Sequence, residues 1–275
     1  MTITGPNLAR VMPALMRIIP TGIGSRAPVV SAPTMSCTTR FWLSLRPGFS
    51  RVIELRRPPG QFARVGHRGA PALAVENTLR SLEIAVELGC DMLEFDVLPL
   101  RDGTLVLAHS RRALASPPAT LDDALALCAE RFRGVGLQLD LKRRGMEEKI
   151  SSLLRRHGVR ERTWISAFDA GALRRFAEVD PEVPRSYTFP RNRLAGTARA
   201  TLLRRLPALL RRARATAVTL HHTVVSEAAI VRAHELDAAV YVWTVNDLTV
   251  ARRLIAAEAD GIITDDPRIF STLTT

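Results

Sequence analysis

An α/β chain that closes into a (β/α)8 TIM barrel is the architecture this sequence predicts. Three observations carry that reading. Short β-rich runs alternate strictly with helical stretches from residue 63 onward, the alternation completes eight units, and 275 residues suffice for a fold that takes about 250. In chain order the units pair a strand at 63–67 with a helix at 79–88, 92–97 with 121–131, 136–141 with 147–157, and 163–167 with 170–178. The second half pairs 185–189 with 198–212, 217–220 with 227–235, 240–244 with 248–257, and 261–264 with a weakly periodic 267–273. Each strand segment is short and rich in apolar residues, and each helical segment repeats its apolar positions at helical spacing. Helical crossovers imply parallel strands, and eight of them imply closure. A barrel of this kind carries its chemistry at the C-terminal ends of its strands.

Composition narrows the partners. Apolar residues make up 47% of the chain and charged residues 24%, which are ordinary globular values. No run reaches the roughly 18 apolar residues of a membrane span. The formal charge of +12 is concentrated: residues 1–60 hold eight arginines against the single acid Glu54, leaving +5 for the rest. Aromatics are only 5% of the chain, and no basic stripe is interleaved with them, so the charge does not read as a nucleic-acid footprint. A mildly basic surface instead favours small anionic substrates. Cys37, Cys90 and Cys128 lie far apart without ligand spacing and read as free thiols in a reducing compartment.

Residues 1–60 also contain eight of the 17 prolines, and we read them as a disordered leader preceding a barrel domain at 61–275. The leader is expected to make no core contacts, so that removing residues 1–55 leaves stability and activity unchanged. Pro13 and Arg17 break the apolar stretch at 11–19, which argues against a secretory signal. The Arg-rich, acid-poor composition is only weakly like a transit peptide, and a start near Met35 is the alternative; the expected location is cytoplasmic. Oligomeric state is not legible in the sequence.

The chemistry-bearing residues gather first between positions 65 and 110. In MLEFDV the strand period of two places Met92, Glu94 and Asp96 on one face and Leu93, Phe95 and Val97 on the other. Two hard oxygen ligands about 7 Å apart can share Mg2+ or Ca2+ if a third joins them from a neighbouring strand. GLQLDLK supplies one by the same alternation, with Gln138, Asp140 and Lys142 facing together. His67 closes the first strand and is followed by Arg68, a bidentate fork for phosphate oxygens, and by Gly69, which permits a tight turn. His109 ends a second apolar run, TLVLAH, after the Asp102-Gly103 turn. Two imidazoles with ordinary pKa values of about 6.5 can divide the roles of proton acceptor and donor. Together these are the parts needed to hydrolyse a phosphate ester.

In that arrangement the chain resembles the glycerophosphodiester phosphodiesterases, members of the phosphatidylinositol-specific phospholipase C-like superfamily. The resemblance runs through His67-Arg68-Gly69, Glu76-Asn77-Thr78, Glu94-x-Asp96-Val97, Asp102-Gly103, His109, Asp140-x-Lys142 and Ser166-x-Phe168. It continues through Trp243-Thr244-Val245-Asn246 and Gly261-Ile262-Ile263-Thr264-Asp265-x-Pro267, and covers about residues 63 to 270. It implies that His67 and His109 are the catalytic acid/base pair and that Glu94, Asp96 and Asp140 hold one divalent cation, Mg2+ or Ca2+, with Mn2+ as a further candidate. Arg68 and Lys142 would bind phosphate, and Trp243, facing the mouth beside Tyr241, would line the glycerol or leaving-group pocket.

Three positions depart from the family pattern. Asp140 stands where the family carries Glu, Ser110 follows the second histidine where the family carries Asp, and only 31 positions separate His109 from Asp140. The family usually has a longer capping insertion there, so a minimal barrel with a short or absent cap is expected. The implied activity is metal-dependent hydrolysis of glycerophosphodiesters to sn-glycerol 3-phosphate and an alcohol. Lysophospholipase D-type action on lysophospholipids and a non-catalytic phospholigand-binding barrel are the alternatives.

Overall fold

The computed structural model describes residues 43–44, 52–189 and 195–273, all within a compact unit running from Thr39 to Thr275. Most of the expected leader lies outside the described residues. A short antiparallel pair, β1 (Leu43–Ser44) and β2 (Val52–Ile53), comes first. There follow β3 (Ala63–His67), α1 (Leu79–Glu87), β4 (Met92–Pro99), β5 (Leu105–Leu107), α2 (Leu121–Arg131), β6 (Gly136–Leu141) and α3 (Glu147–Arg156). The chain continues through β7 (Thr163–Ala167), α4 (Ala170–Val179), β8 (Arg185–Phe189), α5 (Ala195–Ala213), β9 (Ala217–His221) and α6 (Glu227–Glu235). It ends with β10 (Ala239–Trp243), α7 (Leu248–Ala256), β11 (Gly261–Thr264) and α8 (Ile269–Leu273).

β3, β4 and β6 through β11 pair in parallel, and β11 returns to β3, which closes an eight-stranded barrel. Five predicted strands have the predicted ends, and the other three shift by no more than two residues. Within the barrel sheet, β5 is the element the alternation does not predict; β1 and β2 lie in the stretch read as leader. It folds back antiparallel on β4, pairing Val97 with Leu107 and Pro99 with Leu105, after a turn in which Gly103 takes a positive φ of 84°. Helix starts are set locally: Thr78, Thr120, Asp169, Ser226 and Asp247 each accept a first-turn backbone N–H, satisfying a donor the helix itself leaves open. Among the described residues no helix is long and apolar enough to cross a membrane.

The period of two sorts each stave into an inner and an outer face. Leu93, Phe95, Val97, Leu137 and Leu139 pack outward with the buried faces of the helices. Met92, Val65, Trp164, Tyr241 and Ile263 pack inward as a floor. There the Trp164 and Tyr241 rings pack at a 45° tilt with centroids 4.7 Å apart. Gly261 is required beneath them, because a Cβ at that position would fall on the Tyr241 ring. Tyr241 therefore belongs to the floor and not to the mouth beside Trp243, although both face inward.

The floor is completed from a segment that the sequence reading placed in the leader. Ile53 and Leu55 are buried in it, the Tyr241 hydroxyl donates to the Leu55 carbonyl at 3.2 Å, and the Arg57 N–H donates to Asp260 Oδ1 at 2.8 Å. The expectation that residues up to 55 make no core contacts is thus corrected. Two buried aliphatic side chains contribute about 1.5–3 kcal/mol each. Deleting residues 1–57 should therefore lower unfolding stability by several kcal/mol in urea titrations, whereas deleting 1–40 should spare the floor; equal stability of both truncations would refute the role given to Ile53 and Leu55.

A second buried anchor lies on the outside of the barrel. Asp180 accepts from Ser151 Oγ at 2.7 Å, Arg155 Nη2 at 3.0 Å and Arg160 Nη2 at 2.6 Å, tying α3 and α4 together. Burial alone would raise its pKa, but the bonds from Arg160 and Ser151 outweigh that and hold the carboxyl below its ordinary value. A depressed folded-state pKa stabilises above the unfolded value of about 3.9 and ceases to do so as pH falls through the folded value. Asp180→Asn is expected to cost about 2–3 kcal/mol at pH 7. The gap to wild type should narrow as pH falls below about 4, read by denaturant midpoints; a pH-independent gap would assign the loss to packing alone.

Candidate active site

All eight residues singled out by the sequence line one cavity of about 220 Å³ at the C-terminal end of the barrel: His67, Arg68, Glu94, Asp96, His109, Asp140, Lys142 and Trp243. β3 and β11 are neighbours, so His67, closing one, meets Asp265, which follows the other. His67 Nδ1 lies 2.6 Å from Asp265 Oδ1 and Nε2 lies 3.9 Å from Glu94 Oε2. Burial pushes this imidazole down, yet the Asp265 bond and the Glu94 charge more than offset it, leaving its pKa above the ordinary value. Asp265 is itself held in place by Asn246 Nδ2 at 2.9 Å.

Arg68 takes a positive φ of 52°, a sparsely populated conformation for a non-glycine residue, found here against the cavity. That turn lets its backbone N–H donate to Glu94 Oε2 at 2.8 Å. Its guanidinium spreads over three partners: Nη1 donates to Glu76 Oε2 at 2.7 Å, Nε lies 3.0 Å from Asp96 Oδ2, and Nη2 lies 3.1 Å from His109 Nδ1. Asn77, also at positive φ (58°), donates to Asp96 Oδ2 at 2.8 Å and accepts the Asp96 N–H at 3.0 Å. His109 is thereby oriented by Arg68, with Asp96 Oδ1 at 3.5 Å, and not by position 110.

The β4–β6 register sets Asp96 beside Asp140. Glu94, Asp96 and Asp140 are buried, and each presents an oxygen within 4.8 Å of the others. Burial first, and then the Asp96 charge, push Glu94 up to about 7. Burial also opposes the charge on Asp96, but Lys142, His109 and Arg68 hold its pKa well below the carboxylate range. Lys142 Nζ lies 2.5 Å from Asp96 Oδ1 and also bonds Asp140. Against its own desolvation, the Asp140, Asp96 and Glu94 carboxylates raise its pKa. Asp140 takes a further bond from Ser166 Oγ at 2.6 Å, and Ser166 in turn accepts from Gln138 Nε2 at 3.0 Å.

Opposite the carboxylates stand Phe168, Thr188, Thr219 and Trp243. The Trp243 ring meets Phe168 edge-on at 5.9 Å and His221 at 5.0 Å. Gln138 Oε1, Thr188 Oγ1 and Trp243 Nε1 are buried and have no hydrogen-bond partner. Buried polar groups without a protein partner are ordinarily satisfied by water or ligand, and these three line the cavity. Asp265, Asn77 and Ser166 belong to motifs that carry the family resemblance, but the sequence alone gives them no role. Barrel closure offered one signal, since the residue after the last stave must approach the end of the first.

The sequence model of the glycerophosphoryl diester phosphodiesterase family matches residues 67–124 and 137–269. The chain belongs to that family. Its enzyme class is therefore that of a phosphoric diester hydrolase, and the eight-residue cavity lies within the matched region. Among relatives, YhdW of Bacillus subtilis (strain 168) is 26% identical over 235 residues, 74% of this chain and 94% of that protein. The glycerophosphodiester phosphodiesterase of Caldanaerobacter subterraneus subsp. tengcongensis is 24% identical over 243 residues, 76% of this chain and 96% of that one. A phosphodiesterase of Oleispira antarctica, solved with the product sn-glycerol-3-phosphate, shares the fold at a TM-score of 0.66 and 22% identity, over 78% of this chain and 97% of its own.

Proposed function

We propose that this chain hydrolyses glycerophosphodiesters to sn-glycerol 3-phosphate and an alcohol, using His67 and His109 for proton transfer beside a divalent cation held by Glu94, Asp96 and Asp140. The observation that carries the reading is the opposite hydrogen bonding of the two imidazoles. A carboxylate only accepts, so His67 Nδ1 carries its proton toward Asp265 and the neutral ring leaves Nε2 as an acceptor. His109 Nδ1 lies between a group that only donates, Arg68 Nη2 at 3.1 Å, and one that only accepts, Asp96 Oδ1 at 3.5 Å; the shorter Arg68 contact favours the neutral tautomer with its proton on Nε2. One ring is set to take a proton and the other to give one.

The donor set fits a hard cation. Three carboxylates converge on one point, and oxygen ligands suit Mg2+ or Ca2+. The bonds already made by Lys142, Ser166 and Asn77 leave acceptor capacity, because each carboxylate oxygen has more than one lone-pair direction. When bound, such an ion polarises a phosphoryl oxygen. Arg68 and Lys142 contribute fixed positive charge for the phosphate oxygens. His67 Nε2 accepts the proton of the attacking group as the new O–P bond forms: attack by water gives glycerol 3-phosphate directly, whereas attack by the neighbouring glycerol hydroxyl gives a cyclic phosphate that a water then opens with the two imidazoles exchanging roles. His109 Nε2 donates to the alkoxide oxygen as the P–O bond to the alcohol breaks. Gln138, Thr188 and Trp243 supply the unmet polar atoms that glycerol hydroxyls can satisfy. The substrate is then a small molecule, and the buried free thiols of Cys90 and Cys128 fit a cytoplasmic setting.

Release of glycerol 3-phosphate from glycerophosphocholine, glycerophosphoethanolamine and glycerophosphoinositol, with Mg2+, Ca2+ or Mn2+, tests the reading. Turnover of at least one diester is expected. Preference for dispersed lysophosphatidylcholine would move the substrate to lysophospholipids, and no turnover with any ion would favour a binding role.

A further inference from the structure

Among the described residues only three large apolar side chains are exposed: Leu73, Val75 and Val231. Two of them fall within three positions of each other at the cavity mouth, Leu73 at 40% and Val75 at 66% exposure. They belong to the stretch Ala-Pro-Ala-Leu-Ala-Val at 70–75, which leads from β3 to α1 and begins two residues after Arg68. The stretch is tied down: Leu73 and Ala74 N–H donate to the Ala70 carbonyl at 2.9 and 3.1 Å, and Ala72 N–H to the Asp265 carbonyl at 3.1 Å. Single exposed apolar residues are ordinary, whereas a fixed apolar turn beside a polar cavity is the pattern of a contact surface.

The neighbouring mouth loops add basic residues that no acid among the described residues neutralises. β3, β4 and β6 are adjacent staves, so the segments that follow them share the rim with this turn. Arg111 and Arg112 come directly after His109 and Ser110, and Arg143 follows Lys142; all three are exposed. No carboxylate pairs with them among the described residues. Three rim acids are occupied elsewhere: Glu76 with Arg68, Asp169 with Arg144 and Asp266 with Arg268. Asp102 accepts the Thr104 N–H of its own turn at 2.9 Å.

We propose that this rim seats the cavity mouth on an anionic phospholipid surface, with Leu73 and Val75 entering the interface and Arg111, Arg112 and Arg143 meeting lipid phosphates. An apolar contact and a cationic patch are the two signals that together give peripheral membrane binding. Neither depends on turnover, so this partner and the proposed reaction stand or fall separately.

Cosedimentation of the full chain with phosphatidylcholine vesicles, with and without phosphatidylglycerol, tests the idea. Wild type should partition onto the phosphatidylglycerol vesicles and come off as salt rises. Arg111→Gln/Arg112→Gln should weaken that partition about thirtyfold, at roughly 1 kcal/mol per arginine. Leu73→Ser/Val75→Ser should weaken it about tenfold, and thermal melts of both variants should match wild type. Equal binding to neutral and anionic vesicles would overturn the proposal. Binding untouched by either variant would do the same, by assigning it to the arginines of residues 1–60. Concentration-dependent self-association, lost in Leu73→Ser/Val75→Ser without any vesicle binding, would make the partner a second copy and also refute it.

Discussion

Replacing His67 with alanine should lower kcat by about 10²–10⁴-fold, the usual span for a general acid or base, while the melting temperature stays near that of wild type. The fold should tolerate the change because Asp265 keeps its bonds to Asn246 and the ring stands at the open end of the barrel. Asp265→Asn is the informative companion. It retains shape while replacing an obligatory acceptor by a group that can also donate, so His67 loses the bond that fixes its tautomer. We expect a smaller fall in kcat than in the alanine variant, with KM little changed, because Asp265 acts through the ring and not on substrate. An alanine variant that keeps more than a tenth of wild-type turnover would remove His67 as the proton acceptor.

Stripping the protein with a chelator should abolish turnover, and Mg2+ or Ca2+ should restore it. A bound ion supplies several kcal/mol of charge stabilisation at a phosphoryl oxygen, about a hundredfold to a thousandfold in rate. Asp96→Asn should be refractory to that rescue. Asp96 lies at the centre of the site, engaged by Asn77, Arg68 and Lys142 with His109 close by. Removing its charge weakens both the ion's donor set and the positioning of the two cationic side chains. Calorimetric titration with Mn2+ gives a readout free of catalysis: wild type should show one site, and the variant none in the same range. Full activity after exhaustive chelation would refute the cation altogether.

The staves were readable because each is buried on both faces and still alternates: Met92, Glu94 and Asp96 inside, Leu93, Phe95 and Val97 outside. The eight site residues were readable because strand ends in a barrel converge. What escaped notice had weak local signals. β5 is visible in the sequence as the apolar run TLVLAH, but three residues are too few for a periodicity to mark it as a strand, and Ile53 and Leu55 are two apolar positions in a proline-rich stretch whose composition matches the leader. Their value comes from Tyr241 and Met92, far along the chain. The His67–Asp265 pair spans 198 positions, and the Ser166–Asp140 bond depends on strand register, which single-chain patterning does not fix.

The hairpin made by β4 and β5 carries one consequence for how the sequence can change. His67 sits on a barrel stave, but His109 is delivered by an appended strand whose phase is set by the turn at 100–104. Because side chains alternate along a strand, one residue gained or lost in that turn would reverse the side chains of β5 and the direction in which the chain leaves it toward His109. His109 would then face away from Arg68 and Asp96 while all eight staves kept their pairing. The turn thus acts as a length gauge, and the chain can accept substitutions there far more readily than insertions or deletions.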